Sequence, residues 1–201
     1  MRTILTILAL GGLGLLVSRP LFVEPAVRAG TALRMDVPDL VQSADLVLEG
    51  RVLSATPVES EEGLIETQYE LAVDRTFRGD DVYLRSVRLP GGVLEDGRGM
   101  LLAGVPHLRE GEDALLFLTD AGPRGVRLPV GLAQGRYRVV TRLDGSKLAV
   151  RDQSDLGLVD PSTGELLEAD GLHIRDYAEL VAEIEAAMGS VRSQAQAGAP
   201  K

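Results

Sequence analysis

Cysteine is absent from the 201 residues, and so is tryptophan. Without cysteine no disulfide can brace the fold, no thiolate can serve as nucleophile or metal ligand, and no lipid can be attached at a lipobox. Aromatic residues make up only 3% of the chain, which argues against a stacking surface for sugars or single-stranded nucleic acid. The two histidines, His107 and His173, fall short of the three or four ligands of an ordinary zinc site, and no HExxH pattern is present. No G-x-S-x-G turn offers a strained nucleophilic serine. The net charge is -9. An acidic surface repels phosphate backbones, so no nucleic acid is expected as a partner.

What is present begins with an export pattern. Arg2 precedes an uncharged apolar run from Ile4 to Val17, shorter than the roughly 20 residues of a comfortable membrane span. The run fits the apolar core of a secretory signal, and Val27 and Ala29 supply the small residues at -3 and -1 that signal peptidase accepts. Residues 1–29 are therefore read as a signal peptide, and the expected location is secreted or periplasmic. An uncleaved N-terminal anchor is the alternative; with cleavage, no membrane span is expected. Removal of this segment takes away three arginines and one glutamate and leaves a more acidic chain. Residues 30–189 have the length of one domain, and the small, polar residues 190–201 read as a disordered tail.

Hydrophobic periodicity marks the elements. Asp36 is placed to cap a short helix with Pro38 in its first turn. Leu46–Thr56 reads as a strand with Leu46, Leu48, Gly50 and Val52 on one face and Glu49 and Arg51 on the wet face. Gly50 on the inward face suggests a bend or a close backbone approach. Ile65–Phe77 alternates apolar and polar residues over its length, the clearest strand signal in the chain. Val82–Leu89 reads as a third strand, and Ala114–Thr119, continuously apolar, as one buried on both faces. Val126–Val130, Arg136–Thr141 and Lys147–Arg151 read as short strands, the last two joined by a type I′ turn at Asp144-Gly145. Asp152–Gly171 reads as loop. Ile174, Tyr177, Val181, Ile184 and Met188 fall at helical spacing, which predicts an amphipathic helix over about 175–188, ended by Gly189. Short strands with turns every ten residues or so, flanked by two helices, predict a mainly β domain: a small OB-like β-barrel, with a β-sandwich as alternative.

Three segments in this order, SADLVLEGRVLSA (43–55), YELAVDRTFRGD (69–80) and REGEDALLFL (109–118), resemble the netrin-like domain, the OB-type barrel of tissue inhibitors of metalloproteases. They also resemble exported bacterial domains found near matrixin-type metalloproteases. The resemblance spans roughly residues 43–120. It implies an OB-type fold and a protease-associated or inhibitor-like role. The family's N-terminal cysteine, which presents its amine and carbonyl to the protease zinc, has no counterpart here, so no inhibitory residue carries over.

Candidate chemistry is sparse. His107 or His173 with Glu110 or Glu112 would make at most a weak metal site, and each histidine reads as a surface or capping residue. Ser146 and Lys147 are adjacent on a strand and so point to opposite faces, which rules against a dyad. The acidic loops (Glu59, Glu61 and Glu62; Asp152, Asp155 and Asp160) could take calcium, the one cofactor considered, although no calcium-binding spacing is met; otherwise no cofactor or metal is expected. Arg78-Gly79-Asp80 spells an adhesion tripeptide that ordinary turn chemistry explains. The long segment between Leu89 and Glu110 is the expected binding loop, with Leu89, Gly91, Gly92, Arg98, Val105, His107 and Arg109 as its candidate residues. The expected function is an exported, non-catalytic binding module that engages another exported protein, a metalloprotease being one candidate. The alternatives are an envelope-anchored structural protein and an enzyme with a carboxylate site.

Overall fold

The structure is a computed structural model that describes residues 30–167 and 171–197. The expected signal peptide and residues 198–201 of the expected tail lie outside the described residues. The fold is mainly β with two α-helices. Seven strands form one antiparallel sheet: β2 (Leu46–Glu59), β3 (Ile65–Arg78), β4 (Leu84–Pro90), β7 (Asp113–Leu118), β8 (Arg136–Thr141), β9 (Lys147–Asp152) and β11 (Leu172–Asp176). Their order is β11-β9-β8-β7-β2-β3-β4. Two small ribbons stand beside it: β1 (Gly30–Leu33) runs parallel to β10 (Leu156–Val159), and β5 (Gly92–Val93) pairs with β6 (Gly99–Met100).

The sheet is open rather than closed into a barrel, with β4 and β11 as its two edges. Bulges in the β2–β3 pairing between Val47 and Leu48, Glu49 and Gly50, and Val52 and Ser54 bend these long strands. The glycine in this stretch has a local reason. A Cβ at Gly50 would stand 2.5 Å from the Ala72 carbonyl oxygen, so the close backbone approach expected at this position is present.

Period-two alternation divides the sheet into two faces. On the first, Val47, Leu115, Phe117, Tyr137, Val139 and Ala149 form one core with α1 (Val37–Ser43) and α2 (Tyr177–Ala197). Phe117 and Tyr137 meet edge to face, with ring centroids 6.3 Å apart. Asp36 caps α1 by accepting from the Asp39 amide at 2.9 Å, and Asp39 accepts from the Asp36 amide in return, a reciprocal capping box. The other end of α1 is held by Arg78, whose guanidinium donates to the carbonyls of Val41 (3.0 Å) and Ala44. A cation there satisfies helix C-terminal carbonyls and opposes the helix dipole. The arginine of the RGD tripeptide is thus a helix cap.

Glu49 corrects the expected wet face of β2. It is only 2% exposed, because α2 covers that face. Its carboxylate accepts from the Tyr177 hydroxyl and from Lys147 Nζ at 3.5 Å, and Lys147 also lies 5.0 Å from the Tyr177 ring centroid. Burial, and then the carboxylate beside it, push the Tyr177 hydroxyl well above the usual phenol range.

On the opposite face Leu46, Leu48, Val52, Tyr69, Leu71, Val87, Leu89, Ala114, Leu116 and Leu118 form a second core, closed by Leu108 from the β6–β7 connection. The Leu108 amide donates to the Tyr69 hydroxyl at 3.4 Å.

Several local expectations are corrected. Arg142 and Gly145 close a turn in which only Gly145 has positive φ, +84°, so the β8–β9 hairpin is a type I turn followed by a left-handed glycine rather than type I′. Residues 126–130 make isolated bridges instead of a strand. The stretch read as loop contains β10, and β11 precedes α2 directly. The helix then continues through Gly189 to Ala197, because no left-handed residue breaks it there.

Candidate functional site

The opposite face of the sheet changes character along its width. Over β2, β3, β4 and β7 it is sealed by the second core. Over β8, β9 and β11 the same alternation puts Arg136, Arg138, Val150, Asp152, Leu172 and Ile174 on this face, of which Arg138, Asp152, Leu172 and Ile174 are exposed. The border is a largely buried ion pair: Arg136 Nη2 meets both Glu112 carboxylate oxygens at 2.8 Å.

Beside that border lies a cleft of about 560 Å³ between the 101–109 segment and the 152–156 loop, adjoined by a smaller hollow of about 160 Å³. The two share His107, Arg109, Arg136 and Asp152. Leu172 at the sheet edge is 57% exposed and Ile174 is 58% exposed. A third hollow of about 770 Å³ lies on the helix-covered side, lined by Arg34, Tyr137, Arg151, His173, Arg175 and Glu183 among others. Gln153, 3% exposed, borders both large hollows, and neither end of its side-chain amide has a hydrogen-bond partner. Burial holds the Tyr137 hydroxyl above its ordinary range.

Several carboxylates around the open half have internal partners, Asp155 in the cleft being an exception. Glu112 holds Arg136. Glu183 holds Arg175 at 2.7 Å. Asp176 accepts from the Glu179 amide at the start of α2. Asp152 accepts from the Ser154 hydroxyl at 2.7 Å and the Ser154 amide at 3.0 Å. Asp144 and Ser146, and Asp160 and Ser162, make the same pair of bonds. These Asp-x-Ser turns occur at a spacing of eight residues, at 144, 152 and 160, and each shapes a loop. Bonds from the serine hydroxyl, and then from the amide, hold all three carboxyls below their ordinary value. The side chains of Arg109 and Arg138, by contrast, form no hydrogen bond or salt bridge among the described residues, although Arg136 and Arg138 act electrostatically on Asp152.

Of the residues expected in a binding loop, Val105, His107 and Arg109 line the cleft. The other four do structural work. Leu89 belongs to the second core. The Gly91 amide donates to the Ile65 carbonyl at 2.8 Å, and its own carbonyl accepts from Thr67 at 2.7 Å. A Cβ at Gly92 would stand 2.5 Å from Thr67 Oγ1. Arg98 makes two bonds of 2.7 Å to Glu59 and one of 2.8 Å to Asp96, pinning the β5–β6 ribbon to the end of β2. These partners hold Glu59 and Asp96 below the ordinary carboxylate range.

The two histidines do not meet, since His107 lines the cleft and His173 the hollow beside α2. Glu110 accepts from the Ala55 amide at 3.1 Å. Among the described residues no group of three His, Asp or Glu side chains is gathered to hold a metal ion, and no helix is long and apolar enough to cross a membrane. Ser146 and Lys147 diverge, one to Asp144 and the other to Glu49.

Sequence reasoning missed Arg136, Arg138, Leu172 and Ile174 as surface-forming residues. The alternation in RYRVVT (136–141) carried that signal for the two arginines. No family model matches this chain, and no curated protein matches it.

Proposed function

We propose that this chain is an exported, non-catalytic binding module that engages another exported protein through the open half of its sheet. On this reading the bent sheet is an OB-like platform, sealed at one end by its own loops and left for a partner at the other. The observation that carries the reading is the combination on one surface of exposed Leu172 and Ile174 with Arg109 and Arg138, whose guanidinium groups form no salt bridge among the described residues. Apolar side chains beside unpaired guanidinium groups are the ordinary makings of a protein-recognition surface. The resemblance to the netrin-like domain makes a metalloprotease the first partner class to try.

The test is capture from envelope and secreted fractions with the C-terminally tagged chain, read by mass spectrometry. A saturable protein partner, lost with the double substitution Arg109→Glu, Arg138→Glu, is the expected result. Capture that is empty across salt and calcium conditions would remove the reading.

A further inference from the structure

We propose that the chain forms a twofold dimer in which the free edges of two β11 strands pair antiparallel about His173. This goes beyond the binding-module reading and does not rest on it.

The backbone of β11 alternates between its two sides. The Gln153 amide donates to the Gly171 carbonyl at 2.7 Å, in the register that pairs Leu172 with Asp152. Gly171, His173 and Arg175 therefore turn their amides and carbonyls toward β9, and Leu172 and Ile174 turn theirs away from it. No strand lies on that outer side among the described residues, and the outward amides and carbonyls of Leu172 and Ile174 make no hydrogen bond there. The other sheet edge is protected. The Gly91 amide bonds the Ile65 carbonyl in the register of β3 with β4, so Arg88 and Pro90 are among the outward positions of β4. The Arg88 carbonyl accepts from the Arg127 amide at 2.9 Å, and Pro90 has no amide to offer. β11 contains no proline, and its register with β9 has no bulge. It lacks two of the usual guards of an exposed edge.

The strand complements itself. An antiparallel copy centred on His173 sets Leu172 of each copy opposite Ile174 of the other. These are the residues whose backbone groups face outward, so each pair closes two hydrogen bonds. Their side chains, 57% and 58% exposed, lie on the open face and join into one apolar strip across the axis, the self-matching contact that a twofold dimer requires. An axis at Ile174 would instead set Leu172 against Asp176, an apolar side chain against a carboxylate. With the axis at His173, the two Arg175 side chains stand on the other face, about four residues or roughly 13 Å apart along the joint, and each is held by its own Glu183 at 2.7 Å. Charge selects no other occupant, because β9 and β11 separate Arg138 from the joint.

The absence of cysteine makes this register testable. At His173 alone a residue stands opposite itself, in a non-hydrogen-bonded pair whose Cα atoms lie about 4.5 Å apart, within disulfide reach. His173→Cys in the full chain should give a covalent dimer under mild oxidation at least about tenfold faster than Leu172→Cys or Ile174→Cys alone. An equimolar mixture of those two variants should crosslink faster than either does with itself. Sedimentation equilibrium of the wild-type chain should show a dimer that dissociates on dilution. Ile174→Glu, at an exposed position, should weaken that dimer at least about tenfold and leave the melting temperature close to wild type. A wild-type chain that stays monomeric up to about 1 mM, a dimer indifferent to Ile174→Glu, or self-crosslinking fastest at residue 172 or 174 would overturn the proposal. A monomer that still captures a partner removes this inference alone. A dimer with empty capture removes the binding-module reading alone.

Discussion

The two halves of one sheet face share the same alternation and meet different fates. Over β2, β3, β4 and β7 the outward positions are Leu46, Leu48, Leu71, Val87 and Leu116, and the 101–112 connection folds over them with Leu108. Over β8, β9 and β11 the equivalent positions are Arg136 and Val150, still largely buried, and then Arg138, Leu172 and Ile174, which are exposed. The buried Arg136–Glu112 pair sits where one regime gives way to the other. The periodicity of a strand says which residues share a face. Whether that face is core or surface depends on whether a distant segment returns to cover it.

That contrast can be broken in order of expected effect. Phe117→Ala, in the core beneath the helices, should destabilise the fold by about 3–5 kcal/mol in chemical denaturation, as truncation of a buried aromatic does. A cost below about 1 kcal/mol would mean that the helices do not pack on this face. Tyr177→Phe takes a hydrogen bond from the buried Glu49 carboxylate and should cost about 1–3 kcal/mol, with Lys147 left as the neighbouring donor. Acid should act through the three Asp-x-Ser turns. Their carboxyls have depressed folded values, so the stability they give is present above about pH 4, the unfolded value, and is lost as pH falls through the lower folded value. Asp152→Asn should flatten the acid limb of the melting curve, and an unchanged limb would reassign that sensitivity to other carboxylates. Smallest of all, Arg138→Ala on the open half should stay within about 0.5 kcal/mol of wild type while weakening partner capture. A large loss of stability would show that Arg138 serves the fold instead.

Legibility in the sequence followed range. β7 was readable because an uninterrupted apolar run suits a strand covered on both faces, and β3 because its alternation persists over many residues. The α1 cap was readable because Asp36, Pro38 and Asp39 carry their chemistry locally. β10 was not, because Leu156-Gly157-Leu158-Val159 is short and its partner β1 is remote in sequence. β11 was absorbed into the helix because Ile174 happens to lie three residues before Tyr177. Glu49 read as solvated since nothing near it in sequence announces the helix that covers it. The candidate site divided the same way. Val105, His107 and Arg109 were found because loop length flags a segment, but the sheet edge they stand beside depends on register across three strands.

The pairing of β1 with β10 has a consequence for timing. Gly30 meets Leu156 and Leu33 meets Val159 in parallel register, so the strand made early in synthesis can find its place only after most of the chain has been produced. Loop closure over such a distance is slow, and its contacts reward the chain late. A polypeptide emerging gradually from a ribosome or a translocation pore would therefore keep its leading strand unsatisfied until nearly the whole length is through. Under the export proposed above, that delay would postpone the final locking of the fold until both ends are on the same side of the membrane.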